Sequence, residues 1–366
     1  MAEEPAEVMM EVVSTSGRRV PVSTNLVRTC SQAFAAEDVY ATDLLDLQLT
    51  VMARNSLVHV CEAPAHSLTC VQDMLRRARV RSTPISPKGH RVVAGSLMFV
   101  ICGHTMLVYD LRDPSVPRLV TLRFRFELHE VAAKVRNYPD DNEYEIVVVE
   151  RKSHSYGVFH SVLHSFAFNK TSPKTHLRAK RYNVPYDIGT LKHGTDGLYG
   201  TFETQVIRIQ LPDGTCHPVI SSDMTFCDIL PCANGVLCLG EREDADFHCT
   251  TQLQFFPSDP EPSPTPHILW EGEEPEGDVC VALLPSLRGV IVAVNGRLTV
   301  LVSRAVRDQD VSMSSLRAAW IQTAAQAASF WTPELLQSPH KRLRDNDGGG
   351  GSAGAGGERE GGSTHP

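Results

Sequence analysis

Cysteine and histidine residues in the second half of the chain are the residues best suited by type to hold a metal ion. They are Cys216, His217, Cys227, Cys232, Cys238, His248 and Cys249. Structural zinc sites use two ligand pairs, each spaced two to four residues apart on a turn. No Cys-x-x-Cys occurs in the sequence, and Cys227, Cys238 and Cys249 lie inside apolar runs. We therefore predict buried free thiols at these positions, with no metal and no cofactor.

His154, His160 and His164 form a second group of possible ligands. In a helix, His160 and His164 would stack one turn apart, as metal ligands often do. In a strand they share a face but lie about 13 Å apart at roughly 3.3 Å per residue, which is too far to chelate one ion. The surrounding sequence, IVVVERKSHSYGVFHSVLHSFAF, favours strands. We predict that these histidines lie on an exposed strand face beside a loop.

Acidic residues cluster in Asp140–Glu143, Glu241–Asp246 and Glu271–Asp278. Each cluster lies between apolar runs with Pro, Gly or Asn nearby, which is typical of solvated loops. None has the alternating oxygen ligands of a calcium loop, and the chain has neither a Gly-x-Ser-x-Gly elbow nor a phosphate-binding glycine loop. We predict no catalytic residue. The alternative is a hydrolase or lyase whose Asp, Glu and His side chains converge at a channel mouth, with or without a divalent cation.

Basic side chains are concentrated in two predicted loops. Arg76, Arg77 and Arg79 belong to an RRARVR run, and a second group spans Lys170–Arg181. Aromatic residues make up only 7% of the chain, so no platform for stacking nucleic-acid bases is evident. We predict solvated loops at both places. Arg76, Arg77 and Arg79 are candidate contacts for an acidic protein partner, with an RNA backbone as the alternative.

The overall charge of the chain argues against nucleic acid as its main ligand. Its 366 residues carry a formal net charge of −8, whereas gripping a nucleic-acid backbone needs a basic surface. The acidic N-terminal residues do not resemble a secretory signal, so we expect none, and no apolar run approaches the ~20 residues of a membrane span. Lys341, Arg342 and Arg344 resemble a short nuclear-import signal. We therefore predict a cytoplasmic or nuclear protein that is not secreted and does not bind membranes.

The elements that must position these residues show the two-residue period of β-strands. From Leu45 to Ala53 every odd position is apolar, and Met52 alone interrupts the polar even positions. Pairs of such runs recur around short polar breaks, and the pairs begin at Leu49, Met98, Ile146, Leu198, Val236 and Val290. A further apolar segment precedes each pair, so each unit of roughly 40 to 50 residues has about four strands.

In this architecture the chain resembles the broad class of WD-repeat and kelch-like propellers, over roughly 260 residues. The resemblance implies an all-β fold: a β-propeller of six blades, or seven in the alternative, with a C-terminal α-helix and a disordered tail. We expect the N-terminal hairpin, Met10–Val22, to close the ring by adding a strand to the last blade. A second resemblance, to BTB-type adaptor domains, would instead require helices over Asn25–Ala36 and Leu44–Cys61.

The domains predicted on this basis are an N-terminal segment (1–38), the propeller (39–303), a helical segment (304–338) and a Gly-rich tail (339–366). Ser312–Trp331 is alanine-rich and places Trp320 and Trp331 on one side at helical spacing. We expect this segment to form a helix that packs on the propeller, or one that binds in a groove of another protein. We predict a non-catalytic scaffold whose faces and loops bind partner proteins, with Trp320 and Trp331 as candidate contacts. The alternatives are the channel-mouth enzyme and a BTB-like adaptor with a substrate-recognition propeller.

Overall fold

Antiparallel strands account for almost all of the regular structure. A computed structural model describes residues 9–14, 19–33, 39–41, 50–53, 56–59, 79–81, 91–111, 118–137, 140–153, 159–173, 178–245, 248–258, 266–272, 279–284, 288–295 and 297–309. These residues belong to one compact unit, Met1–Asp310. Three strands precede the repeating units: β1 (Met9–Val13), β2 (Arg19–Ser23) and β3 (Leu26–Ala33).

The remaining strands follow in sets of four or three, each set in one sheet. The first sheet has β4 (Val39–Ala41), β5 (Thr50–Ala53), β6 (Ser56–His59) and β7 (Arg79–Arg81). The second has β8 (Arg91–Ala94), β9 (Leu97–Cys102), β10 (Thr105–Asp110) and β11 (Arg118–Arg123). The third has β12 (Leu128–Asn137), β13 (Asp140–Ser153), β14 (Phe159–Asn169) and β15 (Lys180–Val184).

The fourth sheet has β16 (Leu191–His193), β17 (Leu198–Phe202), β18 (Gln205–Gln210) and β19 (Thr215–Ser221). The fifth has β20 (Thr225–Cys232), β21 (Gly235–Glu243), β22 (Cys249–Pro257) and β23 (His267–Gly272), joined by β1 and β2. The sixth has β24 (Cys280–Leu284), β25 (Gly289–Val294) and β26 (Arg297–Ser303), joined by β3.

The number of regular blades differs from the prediction. Five sheets have the four strands of a propeller blade, whereas the fifth sheet has six, in the order β2-β1-β20-β21-β22-β23. The expectation of six regular four-stranded blades, or of seven, is therefore wrong, and the count is five. The cause is the N-terminal hairpin, whose strand β1 pairs with β20 at Val12 and Cys232 and so enlarges that sheet.

The strand that completes the last sheet, by pairing with β26, is also different from the one predicted. The β1–β2 hairpin joins β20, while β3 pairs with β26 from Leu26 opposite Ser303 to Ala33 opposite Arg297. Hydrogen bonding between β3 and β26 gives the sixth sheet its fourth strand. The sixth sheet is thus composed of strands from both ends of the propeller sequence.

The inner strands hold neighbouring sheets together. Contacts join β8 to β12, β12 to β16, β16 to β20, β20 to β24, and β24 to β4. Apolar side chains from facing sheets pack between them, including Phe99, Tyr144 and Phe168 in one core and Leu239, Leu253 and Leu301 in another. The ring of packed sheets confirms the all-β propeller class.

The alternating sequence pattern predicted the hairpins well. All six paired runs form hairpins, β5–β6, β9–β10, β13–β14, β17–β18, β21–β22 and β25–β26, and the six preceding segments overlap the inner strands, in the fourth sheet at Leu191 alone. Asn295, in the turn of the last hairpin, has a positive φ of 50°. Strands at β3, β5 and β6 contradict the BTB-type alternative, which required helices there.

Residues 304–309 form a helical segment directly after β26. The predicted helix Ser312–Trp331 and the tail that follows it lie outside the described residues.

A candidate arginine–tryptophan cleft for binding partners

A cleft of about 310 Å³ lies where the outer part of the fifth sheet faces the sixth. We call it the Arg–Trp cleft. It is lined by residues of β23, β25, β26 and β3, namely Arg28, Trp270, Glu271, Gly272, Val294, Arg297 and Thr299. Because β3 is distant in sequence from the other three strands, only the packing of the two sheets creates the cleft.

One wall of the cleft follows from the register of β26. Arg297 and Thr299 are two residues apart, so they project from the same face of the strand. That face is the one directed at the fifth sheet, because Leu301, two residues further on, belongs to the core between the two sheets. Leu301 is paired with Arg28 of β3, which puts Arg28 on the same face. Two arginines and a threonine therefore form a single wall.

The opposite wall is the edge strand β23. Trp270 is paired with Leu253 and packs against the same apolar core, although part of its indole remains exposed. Gly272 makes room for the indole, since a Cβ atom at this position would overlap the six-membered ring of Trp270. The tryptophan is thus fixed on its inner side and presents the rest of its ring to the cleft.

The charges of the cleft are not neutralised within it. Arg28 and Arg297 are exposed, and neither guanidinium has a hydrogen-bonded or ion-paired carboxylate in the part of the chain that the structure describes. Glu271 is also among the lining residues, so the three charged residues sum to +1, although its side chain alternates with Trp270 and projects from the other face of β23. Val294 and Thr299 beneath them are buried, 9% and 5% exposed. The cleft therefore combines an apolar base, an aromatic ring and two cations.

A contrasting polar site lies at the inner strands of the same sheets. The Asp228 side chain on β20 is 5% exposed, and Lys192 of β16 lies 3.1 Å from its Oδ1. The backbone N–H of Val281 on β24 donates to Oδ2 over 3.0 Å, and the N–H of Ile229 donates to Oδ1 over 2.9 Å. One buried carboxylate thus connects three sheets, and both of its oxygen atoms have partners within the fold.

The histidines of β14 take the strand geometry that the sequence predicted, but His164 is not on an open surface. Its side chain is 12% exposed, lies 2.8 Å from Glu150 and stacks on Phe126 with ring centroids 4.0 Å apart. Burial lowers the pKa of His164, although Glu150 opposes that shift. His160 shares this strand, and His154 lies outside the described residues.

The cysteines weighed as possible metal ligands are distributed over β19, β20, β21 and β22. Cys232 and Cys238 are buried as predicted, whereas Cys216, Cys227 and Cys249 are only half-buried. Burial raises the pKa of Cys232 to about 12 and that of Cys238 well above its usual value. His217 lies on β19, and His248 lies just before β22. Within the described ranges, no three His, Cys, Asp or Glu side chains are grouped as metal ligands.

Most of the residues predicted as partner contacts are not among those that the structure describes. Arg76, Arg77, Trp320 and Trp331 lie outside the described residues, as do Lys341, Arg342 and Arg344 of the predicted import signal. Arg79 begins β7, where it is paired with His59. Each of these candidates therefore stays a prediction.

Sequence reasoning missed the Arg–Trp cleft. The sequence pattern gives Arg297 no functional role and predicts Glu271 only as part of a solvated acidic loop. The period of two after Asn295 could have placed Arg297 and Thr299 on one face. No sequence signal pairs Arg28 with Leu301, 273 positions further along the chain.

Comparison with known proteins gives likeness in fold alone. No protein-family model matches the chain, and no curated protein matches it. Among solved structures, the WD40 domain of Neurospora crassa Pan2 aligns with a TM-score of 0.46 and 9% identity, covering 76% of this chain and 95% of that one. The AfRom2 CNH domain aligns with a TM-score of 0.43 and 9% identity, covering 76% and 98%. In the described residues, no helix is long and apolar enough to cross a bilayer.

Proposed function

We propose that the protein is a non-catalytic scaffold and that its Arg–Trp cleft binds an acidic segment of a partner protein. The observation that carries this proposal is the pair of exposed arginines, Arg28 and Arg297, beside a half-exposed Trp270. Tryptophan and arginine are enriched among the residues that dominate protein–protein binding energies. A cleft that presents both, with an apolar base, suits a segment with carboxylates and an apolar side chain.

Charge supports a protein ligand for the cleft rather than a nucleic acid. The whole chain carries a net charge of −8, so a polyanion would be repelled over most of the surface. The attraction is local to the two guanidinium groups, which can each bind a carboxylate through paired hydrogen bonds. A short acidic segment can use this local attraction without approaching the rest of the chain.

The arginines have no evident structural task that would explain their position. A buried charge would need a partner, as the Asp228 carboxylate has in Lys192. Arg28 and Arg297 are exposed, so the fold does not need to satisfy them. Their presence on one face of the sixth sheet is better explained by a ligand than by stability.

Binding of labelled acidic peptides to the full chain tests the proposal. Peptides of about twelve residues with several Glu and one Leu are titrated, and fluorescence anisotropy is measured at several salt concentrations. We expect a micromolar Kd that weakens as salt increases, and at least a tenfold weaker Kd for the R28E/R297E double variant. Lys-containing peptides of the same length are expected not to bind.

The matched control reverses two exposed arginines elsewhere, Arg118 on β11 and Arg136 on β12. The R118E/R136E variant changes the net charge by the same amount and should retain the native Kd. Equal weakening in both double variants would mean that binding follows net charge alone, and the proposed role of the cleft would be wrong. Circular dichroism of both variants establishes that each is folded.

The other parts of the predicted scaffold role are also proposals. The C-terminal segment 304–338, through Trp320 and Trp331, is proposed as a second partner contact, and Arg76, Arg77 and Arg79 as a third. We also propose a nuclear or cytoplasmic location, with Lys341, Arg342 and Arg344 directing import. Deleting 339–366 and following the location of a fluorescent fusion tests the last point, since loss of nuclear accumulation is expected.

A further inference from the structure

We infer that the bound segment is extended and has two acidic side chains four residues apart, with an apolar side chain midway between them. This inference rests on the proposed function and specifies its ligand. It follows from the spacing of the two arginines along β26 and from the position of Trp270 across the cleft.

The register of the sixth sheet sets the distance between the arginines. Arg297 is on β26 itself, and Arg28 of β3 lies beside Leu301, four positions further along β26. At about 3.3 Å per residue, the two positions are roughly 13 Å apart along the strand direction. With their backbone positions this far apart, both side chains would have to bend toward each other to bind one anion, such as a single phosphate. They match two separate anionic groups.

An extended peptide has the same spacing as the strand beside which it lies. Its residues i and i+4 are also about 13 Å apart and project to the same side, so one carboxylate reaches Arg297 and the other reaches Arg28. Residue i+2 projects to that side as well. A helical segment with acids at i and i+4 spans only about 6 Å, which is too short to reach both arginines.

The centre of the cleft is apolar and accepts the residue at i+2. Thr299 lies midway between the two arginine positions on β26, and its hydroxyl is already 3.1 Å from that of Ser31. Trp270 faces this region from β23, and Val294 lies at the base. The two hydroxyl groups thus bind each other, with one of them donating, and the indole of Trp270 and the side chain of Val294 make the middle of the cleft largely apolar. A Leu or Met side chain at i+2 fits this environment.

Peptides of one composition and different spacing test the inference. Each peptide contains two Glu and one Leu in a Ser/Thr-rich background. The first Glu is at position i, and the second is at i+2, i+3, i+4 or i+8. The full chain is titrated with each peptide. We expect the i, i+4 peptide to bind at least fivefold more tightly than the others. A peptide with phosphoserine in place of one Glu shows whether a phosphate can replace a carboxylate at either position. It should bind at least as tightly, because both arginines still have an anion.

A charge exchange tests the pairing directly. The R28E/R297E variant should lose the Glu peptide and gain binding to the same peptide with Lys at i and i+4. A double-mutant cycle tests the middle position: Leu to Ser at i+2 should weaken binding to the native chain several-fold but have little further effect on the W270A variant.

The outcomes separate the two levels of the proposal. If all spacings bind equally and all are lost in R28E/R297E, the spacing is wrong but the acidic-segment cleft stands. If the i, i+8 peptide binds best, the ligand is helical and the inference is overturned. If no peptide depends on Arg28 or Arg297, both the inference and the proposed function are overturned.

Discussion

The fifth and sixth sheets face each other at an inner and an outer place, which differ in whether their charged side chains have partners within the fold. At the inner strands, the buried carboxylate of Asp228 accepts hydrogen bonds from Ile229 and Val281 and pairs with Lys192. At the outer strands, Arg28 and Arg297 are exposed and have no carboxylate partner in the described part of the chain. A charge that holds the sheets together is satisfied internally, whereas the charges at the periphery remain free to bind a ligand.

The difference has a simple physical basis. Near the inner strands the sheets are closely packed, so an unpaired charge there would carry a large desolvation penalty. Farther out, the sheets diverge and water reaches the side chains, so unpaired guanidinium groups are tolerated. The comparison implies that changes at the inner site act on stability and changes at the outer site act on binding. Four predictions, from the largest effect to the smallest, test this division.

Asp228→Ala should have the largest effect on stability. It leaves the N–H groups of Ile229 and Val281 without their acceptor and Lys192 without its partner, so the free energy of unfolding should fall by about 3–5 kcal/mol. Denaturant unfolding followed by circular dichroism measures the change. The control is Asp223→Ala, which removes an exposed pair with Arg242 and should cost less than about 1 kcal/mol. Equal losses in the two variants would contradict the special role of Asp228.

His193 should make the stability of the protein sensitive to acid. It is 8% exposed, and burial, with a contribution from the Lys134 charge, lowers its pKa well below 6.5. The unfolded chain therefore binds more protons below pH 6.5, and stability falls as the pH decreases through that region. The slope due to this group is at most about 1.4 kcal/mol per pH unit.

The prediction is measured by denaturant unfolding of the native chain and of His193→Leu at pH 7.5, 6.5 and 5.5. The variant should lose less stability between pH 6.5 and 5.5 than the native chain does. His104→Leu changes an exposed histidine in a turn and should leave the native slope unaltered. A slope unchanged in His193→Leu would mean that this buried imidazole is not the source of acid sensitivity.

Glu271→Gln should strengthen binding at the outer site. Glu271 lies on β23 between two residues of the cleft, and its negative charge repels an acidic ligand nearby, so the Kd for the Glu peptide should fall about twofold. Anisotropy titrations measure this, with Glu127→Gln, an exposed residue before β12, as the control. Weaker binding in Glu271→Gln would indicate that this carboxylate orients an arginine instead of repelling the ligand.

Arg28→Ala and Arg297→Ala should have the smallest effect on stability. Both side chains are exposed and unpaired within the described residues, so each change should alter the free energy of unfolding by less than about 0.5 kcal/mol. The same unfolding measurements check this. A loss of 2 kcal/mol or more would place these arginines among the residues that hold the sheets together and would remove the contrast with Asp228.

The fold was predictable from sequence to the extent that it depends on local pattern. The apolar pattern along runs such as the one beginning at Leu198 predicted β17 and its partner β18, although both faces of β17 are buried. The count of regular blades was not predictable in this way. The count depended on which sheet the N-terminal hairpin would join. Pairing of Val12 with Cys232 puts it in the fifth sheet, and the alternating apolar residues of the hairpin would suit the last sheet as well.

The candidate site depended even more on distant pairing. Thr29 donates from its hydroxyl to the carbonyl of Val300, 271 residues away, and that pairing brings Arg28 beside the strand of Arg297. Neither arginine is part of a sequence motif. The Asp228 site was equally hidden, because its partners Lys192 and Val281 come from separate sheets.

By itself, the sequence determined that the chain forms short antiparallel hairpins in repeated units, since a two-residue alternation of apolar and polar side chains specifies strands with one buried face. The tertiary structure alone decided which strand completes the last sheet, how many regular blades result and where two arginines meet a tryptophan. The reason is that strand pairing is formed by backbone hydrogen bonds that carry no side-chain signature. Only the packing of the whole ring selects β3 as the partner of β26 and so creates the cleft.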